Sequence, residues 1–535
     1  MSDDAKADAV AGDRIAKIRH WFKNPYNLAL FCVLVLAAAI RIYFLFNTAA
    51  QPLWYDEAEY MSTAKKWGLG TPYNPSPHRP PLFQLLGAFG FMFGFAEIFI
   101  KFLIVVLPSF ALVYCIYLLG KEMYDEKVGL IAALLASVSW TWVFWSARFQ
   151  PDFASMTFQV LAVLFMWKYW KNEKMKFIIL AGLFTALGFM FKLSALLVPM
   201  SFMAFIAIKD RLYAFKNKDY YIYSISFLAP LIPYFIWAKF YFGTAAAFSQ
   251  GYGVSTQLGF GWYVLKFLLF KSESNPQGLF PSMIIFILFV LGLILALKFL
   301  LYADVLVKDR KKCFDPGLFN VVTIVVVAAW YIFWIRAAED RWVFLWMPFI
   351  FIMVGNASMF IYNYGKKYSK IISIILVLGL LAWGSYAQFS HGRDLIESKK
   401  ESYGPVKEAA LWMRERSEQS DKIFSVSYPQ TSYYSERDVL TSADIEGISS
   451  AEEFNDFIQK EKPKFVELSI FETHEPWMYQ WPEGRNDTVP VQVYFADAEK
   501  KQPALIVYEI NYPEIKEILS QSPQLQNITQ GVDDG

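Results

Sequence analysis

The chain has 535 residues, of which 56% are hydrophobic, 19% aromatic and 18% charged, and its formal net charge is +2. Soluble domains carry about 25% charged residues, so this composition excludes an ordinary soluble enzyme and describes a membrane protein. A charge so near zero leaves no basic field for nucleic acid, and three cysteines (Cys32, Cys115 and Cys313) without a CxxC spacing support neither a disulfide framework nor a thiolate metal site.

The first residues, "MSDDAKADAVAGDRIAKIRHWFKNPYN", lack the basic, apolar and small-residue order of a cleavable signal, so residues 1–26 are expected to be a retained cytoplasmic tail. Runs of about 17 to 25 apolar residues cross a bilayer as helices. About eleven are predicted, near 27–47, 99–119, 128–146, 153–170, 177–190, 193–208, 220–242, 280–301, 318–335, 342–362 and 370–389. The pair around Phe191 consists of two short runs with Lys192 between them.

Lysine and arginine concentrate in short cytoplasmic loops. The tail with Arg14, Lys17, Arg19 and Lys23, and the loops "GKEMYDEK", "KNEKMK", "KDRLYAFKNK", "KDRKK" and "GKKYSK", all fall on one side if the count is eleven. The other side receives the loop 48–98, "SARFQPDF", the loop 243–279, "RAAEDR" and everything after about Phe389. The expected fold is therefore an α-helical polytopic membrane protein, with a transmembrane module over 27–389 and a small exterior α/β domain over 390–535. In that domain "YGPVKEAALWMRERSEQSDKIFSVS" reads as helix, turn and strand, and "PKFVELSIF" and "ALIVYEI" read as strands. The sequon at Asn527 is usable only on the exterior side, as this topology requires.

Ionisable residues gather at the exterior edge. "PLWYDEAEY" places Asp56, Glu57 and Glu59 just after the first span, and the same loop continues to His78 and Arg79 in "NPSPHRPPLFQLL". Its prolines stiffen the chain and allow one held shape. Arg41, Arg148, Asp152, Lys192, Arg336, Glu339, Asp340 and Arg341 lie at similar depth. Any one of the carboxylates read alone is as readily a solvated loop charge, and an arginine such as Arg41 can instead snorkel to lipid phosphates. As a set, ionisable groups at the ends of spans pair or serve a function. Cations beside a carboxylate suit the binding of an anionic phosphate while a general base takes a proton from an acceptor.

These stretches, with "YLLGKEMYDEKVGLIAALLASVSWTWVFWSARFQPD", resemble the GT-C membrane glycosyltransferases, and among them the branch of protein O-mannosyltransferases and aminoarabinose lipid A transferases. The resemblance covers residues 30–210 by motif and the rest by layout. It implies a polyprenyl (dolichyl or undecaprenyl) phosphate sugar as donor and a hydroxyl or phosphate on a protein, lipid or glycan as acceptor, at the exterior membrane face. It makes Asp56 the base, with Glu57 orienting the acceptor or sharing that role, and Arg148, Lys192, Arg336 and Arg341 the cradle of the donor phosphate. His78, Arg79 and Asp152 would line the donor or acceptor side.

A phosphate is a fair leaving group once cations stabilise it, so one carboxylate base suffices and no cofactor is required. A single displacement would invert the anomeric carbon. A hard cation on Asp56, Glu57, Asp152, Glu339 and Asp340 is the less favoured alternative, as no spaced ligand motif is present. Glu59 is expected to be a solvated or helix-capping charge. The aromatics of "HEPWMYQW" suit either sugar stacking or core packing, and His474 and Glu475 complete no catalytic set. A transporter or flippase of a lipid-linked sugar would favour inverted repeats and helices broken at mid-membrane. An anchored binding module leaves the loop 48–98 unexplained.

Overall fold

In lipid every backbone polar group needs an internal partner, and a helix supplies one within its own segment. A computed structural model of the chain describes residues 20–243, 259–298, 315–441, 444–445, 447–483, 485–495 and 503–512. Arg14, Lys17, Arg19, the loop "KDRKK", Cys313 and the Asn527 sequon lie outside the described residues. The chain divides into two units: one comprises Met1–Ala50 and Ser76–Lys400, the other Gln51–Pro75 and Glu401–Gly535. This differs from the expected boundaries in two ways. The helix Lys370–Lys399 runs on past residue 389, and the stretch with Asp56 belongs to the second unit.

The first unit is helical. By length and composition, six helices among the described residues can cross a membrane, or seven when the bent pair Glu126–Val138 and Trp140–Ser146 is counted as one span. Four further apolar helices, Leu82–Met92, Met175–Phe191, Leu193–Lys209 and Met283–Ala296, are shorter. The multi-pass helical architecture stands, while the count of eleven is not reached by this measure, because several apolar runs fold as short or broken helices. The helices Glu97–Met123 and Glu126–Val138 cross at glycines: a Cβ on Gly120 would sit 2.8 Å from the Gly129 Cα. Small residues allow such backbone approach. Aromatic rings fill the interior, with Phe319 at 5.2–6.3 Å from Trp167, Trp170, Phe202 and Phe205.

The bent pair turns by 52° between Val138 and Trp140. A helix end leaves its last carbonyls without intrahelical partners. Arg41, only 1% exposed, supplies them: its guanidinium donates to the Ala136 carbonyl at 3.2 Å, the Ser137 carbonyl at 3.1 Å and the Ser109 hydroxyl at 3.0 Å. Arg41 thus does not snorkel, and the break it closes is part of the packed interior. Each buried carbonyl left unsatisfied costs about 1–3 kcal/mol.

The second unit is built on a five-stranded sheet in the order β2-β1-β3-β5-β4, where β1 is Lys422–Ser425, β2 Asp438–Leu440, β3 Phe465–Ser469, β4 Thr488–Phe495 and β5 Pro503–Ile510. β1 runs parallel to β2 and β3, and β5 runs antiparallel to β3 and β4. Successive strand residues point to opposite faces. Phe424 and Val466 accordingly join one core with Phe454, Ile458 and Trp481, and Ile423 and Phe465 join another with Val406, Met413 and Val507. The helices Gly404–Glu415 and Ala451–Glu461 cover these cores. Trp477 and Trp481 lie 5.5 and 5.1 Å from Phe454, so these rings of "HEPWMYQW" serve packing.

β3 is buried along its whole length, and that includes Glu467. One carboxylate oxygen accepts the Thr431 hydroxyl at 2.6 Å, and burial pushes the carboxyl up to about 7. A folded-state pKa raised above the unfolded value favours the fold below the unfolded value, and that contribution is lost as pH rises through the folded one.

Two predictions follow from these buried groups. Glu467→Gln should leave stability near pH 4.5 little changed but raise it above pH 7, by about 3 kcal/mol at most; a pH-independent difference in unfolding temperature between variant and parent would refute this. Arg41→Met should lower the unfolding temperature of the purified protein markedly, and equal stability would show that the carbonyls at the bend find other partners.

Candidate active site

The helix Tyr55–Leu69 starts where Trp54 adopts an extended conformation and ends at Gly70, whose φ of +77° suits glycine. Asp56 and Glu57 occupy its first turn, where the helix dipole favours negative charge. Their roles separate there. Glu57 is fully buried and accepts the Trp54 backbone N–H at 2.8 Å, which makes it the capping residue. Asp56 is half-buried. Glu59 is buried inside the helix, so it is neither a solvated charge nor the cap.

This helix is fastened within the second unit. Lys65 pairs with Glu436 at 2.8 Å, donates to the Tyr433 carbonyl at 3.2 Å and lies 4.0 Å from the centre of the Tyr433 ring. Ser62 donates to the Pro429 carbonyl at 3.1 Å, the Leu53 N–H to the Tyr434 hydroxyl at 2.9 Å and the Asn74 N–H to the Tyr428 hydroxyl at 3.0 Å. The helix therefore packs on the helix Tyr428–Ser435, which follows β1. The Trp54 indole donates to the Ser402 hydroxyl at 3.0 Å. Close by in the unit, Tyr403 and Glu472 both feel the charge of Asp56.

The first unit holds a second cluster. Between Met175–Phe191 and the 3₁₀ turn Leu193–Leu196 the chain is extended at Lys192, which breaks the helix and turns the lysine inward. Its ammonium meets Asp152 at 2.5 Å, in the first turn of the helix Asp152–Asn172, and the Asp152 side chain is 3% exposed. Arg341 pairs with Glu339 at 2.6 Å, and Lys192 feels the charges of both. Asp152, Lys192 and Arg341 line one pocket with Gln159, Ser194 and Trp342.

The loop carrying Arg341 begins after a π-helical turn, Trp330–Ile335, with Arg336 at a φ of +59°. A π turn is rare and is frequently found at functional sites. Asp340 accepts the Trp145 indole N–H at 3.2 Å and the Arg341 backbone N–H at 2.9 Å, and burial pushes its carboxyl up to about 6. The Arg341 guanidinium lies 5.1 Å from the centre of the Trp145 ring, which thus orders the loop. Trp145 was not among the expected site residues; its signal, a tryptophan in an aromatic run, resembles core packing.

Arg148 and Arg336 do not line the Lys192 pocket. Arg148, 1% exposed, donates to the Lys399 carbonyl at 2.9 Å and lies 5.9 Å from the Phe144 ring, and Arg336 lies 6.0 Å from the Phe260 ring. His78 and Arg79 are half-buried ahead of the helix Leu82–Met92, and the His78 N–H reaches the Ser76 hydroxyl at 3.3 Å. His474 joins the Glu472 carbonyl at 2.9 Å and packs on Tyr479 at 4.5 Å. Among the described residues no three His, Cys, Asp or Glu side chains are grouped as a metal ion would require.

Comparison with known proteins bears on this arrangement. Residues 78–237 match the family model described as dolichyl-phosphate-mannose-protein mannosyltransferase. A search among curated protein sequences finds no match. The chain is similar in structure to ArnT from Cupriavidus metallidurans in the apo state, with 10% identity, 91% of this chain and 100% of that chain covered, and a TM-score of 0.66. The same enzyme bound to undecaprenyl phosphate aligns with 11% identity over 88% of this chain and 97% of that one, at a TM-score of 0.59. The archaeal oligosaccharyltransferase AglB from Archaeoglobus fulgidus, in complex with an inhibitory peptide and a dolichol-phosphate, aligns with 13% identity over 84% of this chain and 70% of that one, at 0.58. The chain therefore has the GT-C fold, and it resembles the branch of protein O-mannosyltransferases and aminoarabinose lipid A transferases.

Proposed function

We propose that the chain is a glycosyltransferase that moves a sugar from a polyprenyl phosphate to an acceptor hydroxyl or phosphate on a protein, lipid or glycan, at the exterior face of a cell membrane. The observation that carries this reading is the cluster of Lys192, Asp152 and Arg341 inside a GT-C fold, around a cavity of about 10 Å³ that has room for a phosphate only once Glu339 swings away from Arg341. Supporting it, similar structures are those of proteins bound to undecaprenyl phosphate and to dolichol-phosphate. Eleven spans, a cytoplasmic N-terminus and an exterior C-terminal unit belong to the same proposal, on the strength of the basic loops.

In this reading the donor phosphate enters as a third anion among paired charges. Asp152 is buried and Glu339 is 48% exposed, so the phosphate displaces Glu339 from Arg341 while Lys192 keeps Asp152. Breaking the buried pair instead would cost about 3–5 kcal/mol. Arg341 and Lys192 then stabilise charge on the leaving phosphate. Asp56 takes the acceptor's proton as the acceptor oxygen bonds to the anomeric carbon; the bond from that carbon to the phosphate oxygen breaks, and its electron pair leaves with the lipid phosphate. One displacement inverts the anomeric centre. No metal has a role in this scheme.

A transfer assay in membranes with a panel of labelled polyprenyl-phosphate sugars tests the reading by showing which donor is consumed and what becomes labelled. Asp56→Ala should reduce transfer by about 10²- to 10⁴-fold, the usual contribution of a general base, with insertion and unfolding temperature unchanged; full activity would remove Asp56 from the role. Arg341→Ala should weaken donor binding by about 10- to 100-fold, as expected for one charge-assisted hydrogen bond. Arg148→Ala should have the smaller effect, and unchanged donor affinity in both variants would empty the cradle of arginines.

A further inference from the structure

The membrane unit has a second cavity, of about 550 Å³, away from the Lys192 cluster. The helix Asp152–Asn172 carries Asp152 in its first turn and Tyr169 and Trp170 in its last, and a rise of about 1.5 Å per residue separates those ends by about 26 Å. The cavity lies at the far end, walled also by the end of Leu197–Lys209, the 3₁₀ turn Arg211–Lys216 and the start of Lys218–Leu228. Pockets of about 300–1,000 Å³ suit small ligands. Asp210 is committed there, accepting the Tyr220 hydroxyl at 2.5 Å and pairing with Lys209 at 3.0 Å. Asp219 accepts a neutral donor, the Tyr169 hydroxyl at 2.7 Å, and Glu173 stands just past the helix end at a φ of +53°. Among the described residues neither Asp219 nor Glu173 pairs with a cation. With Asp210 and Lys209 balanced, the wall sets these two carboxylates against Lys216.

A wholly anionic ligand would face both carboxylates, and a bare metal ion finds no group of three His, Cys, Asp or Glu side chains among the described residues. An ammonium suits the wall, because its N–H groups donate to carboxylates and its charge is drawn to aromatic rings. A phosphate attached to it would meet Lys216. Large apolar side chains then say where such a ligand comes from. Ile208, Phe215 and Tyr221, each next in sequence to a residue of the wall, are exposed, and the Tyr221 hydroxyl donates to the Phe215 carbonyl at 2.9 Å. At the ends of membrane helices such side chains lie along acyl chains, with tyrosine, tryptophan and lysine at headgroup level. A belt of that kind explains the rings and lysines, but not two carboxylates without a cation. We propose that this cavity binds a phospholipid headgroup that carries a primary ammonium beside its phosphate. The ammonium sits at Asp219 and Glu173, the phosphate at Lys216 and the acyl chains along Ile208, Phe215 and Tyr221. A quaternary ammonium, with no N–H, cannot donate to the carboxylates. The site is independent of the sugar-transfer reading and belongs to the end of the unit that bears "KNEKMK" and "KDRLYAFKNK".

Native mass spectrometry of the purified full chain, delipidated in detergent, tests this by titration with dioctanoyl phosphatidylethanolamine, phosphatidylcholine or phosphatidylglycerol. The first should bind at about a tenth of the concentration that the other two require, the factor expected of one charge-assisted hydrogen bond. Glu173→Gln, at an exposed helix end, should remove that advantage and leave phosphatidylcholine binding unchanged. Asp219→Asn, which still offers Tyr169 an acceptor, should act in the same way, and Lys216→Met should weaken all three lipids. Soluble phosphoethanolamine should bind at least about tenfold more weakly than the lipid, for want of acyl chains. Equal affinity for the three lipids, preference for either of the other two, or unaltered discrimination in both Glu173→Gln and Asp219→Asn overturns the proposal. Soluble phosphoethanolamine binding as tightly as the lipid overturns the lipid as the occupant.

Discussion

The pairing of Lys65 with Glu436 and the ring of Tyr433 fastens the helix Tyr55–Leu69 into the C-terminal unit, and the arrangement of Asp56 depends on it. A short helix with few apolar positions is marginal alone in water. Here hydroxyls of Tyr428 and Tyr434 satisfy backbone donors on either side of it, at Asn74 and Leu53. A stretch that lies between membrane helices in sequence therefore folds with a domain more than three hundred residues later, as the Leu53–Tyr434 separation of 381 positions illustrates.

Within the membrane unit the governing constraint is that a charge removed from water must be paired or bonded. Three cations meet it differently. Arg41 spends its guanidinium on the carbonyls at a helix break, Arg148 donates to the Lys399 carbonyl, and Lys192 pairs with Asp152. A cation at the same apparent depth is thereby structural in one place and a site candidate in another. The break closed by Arg41 also bears on the transporter alternative: irregular backbone in a transporter lines a substrate cavity, whereas Ala136 and Ser137 here are buried against an arginine.

Some of this was legible beforehand. The alternation of apolar runs and basic loops indicated a polytopic helical protein, and the strands "PKFVELSIF" and "ALIVYEI" appear as β3 and β5. Asp56, Lys192, Asp152 and Arg341 stand out in sequence because charge is rare in such a chain. The boundary at residue 389 was misplaced because a helix continues where hydropathy falls, and Glu57 and Glu59 could not be sorted because adjacent carboxylates on a helix start look alike until the cap is formed. Trp145 went unmarked, since nothing in its local sequence distinguishes a ring that orders a loop from one that fills a core.

By itself the sequence determined what lipid and water demand: that the apolar runs make a multi-pass helical protein, that lysines gather in particular loops between those runs, and that the carboxylates after the first apolar run sit outside it. These follow from composition over short windows. Tertiary structure alone decided which charges meet. The Lys192–Asp152 contact joins residues 40 positions apart, and the pairing of Lys65 with Glu436 spans 371. Electrostatic partnership depends on distance in space and on local burial, and neither is a property of neighbours along the chain.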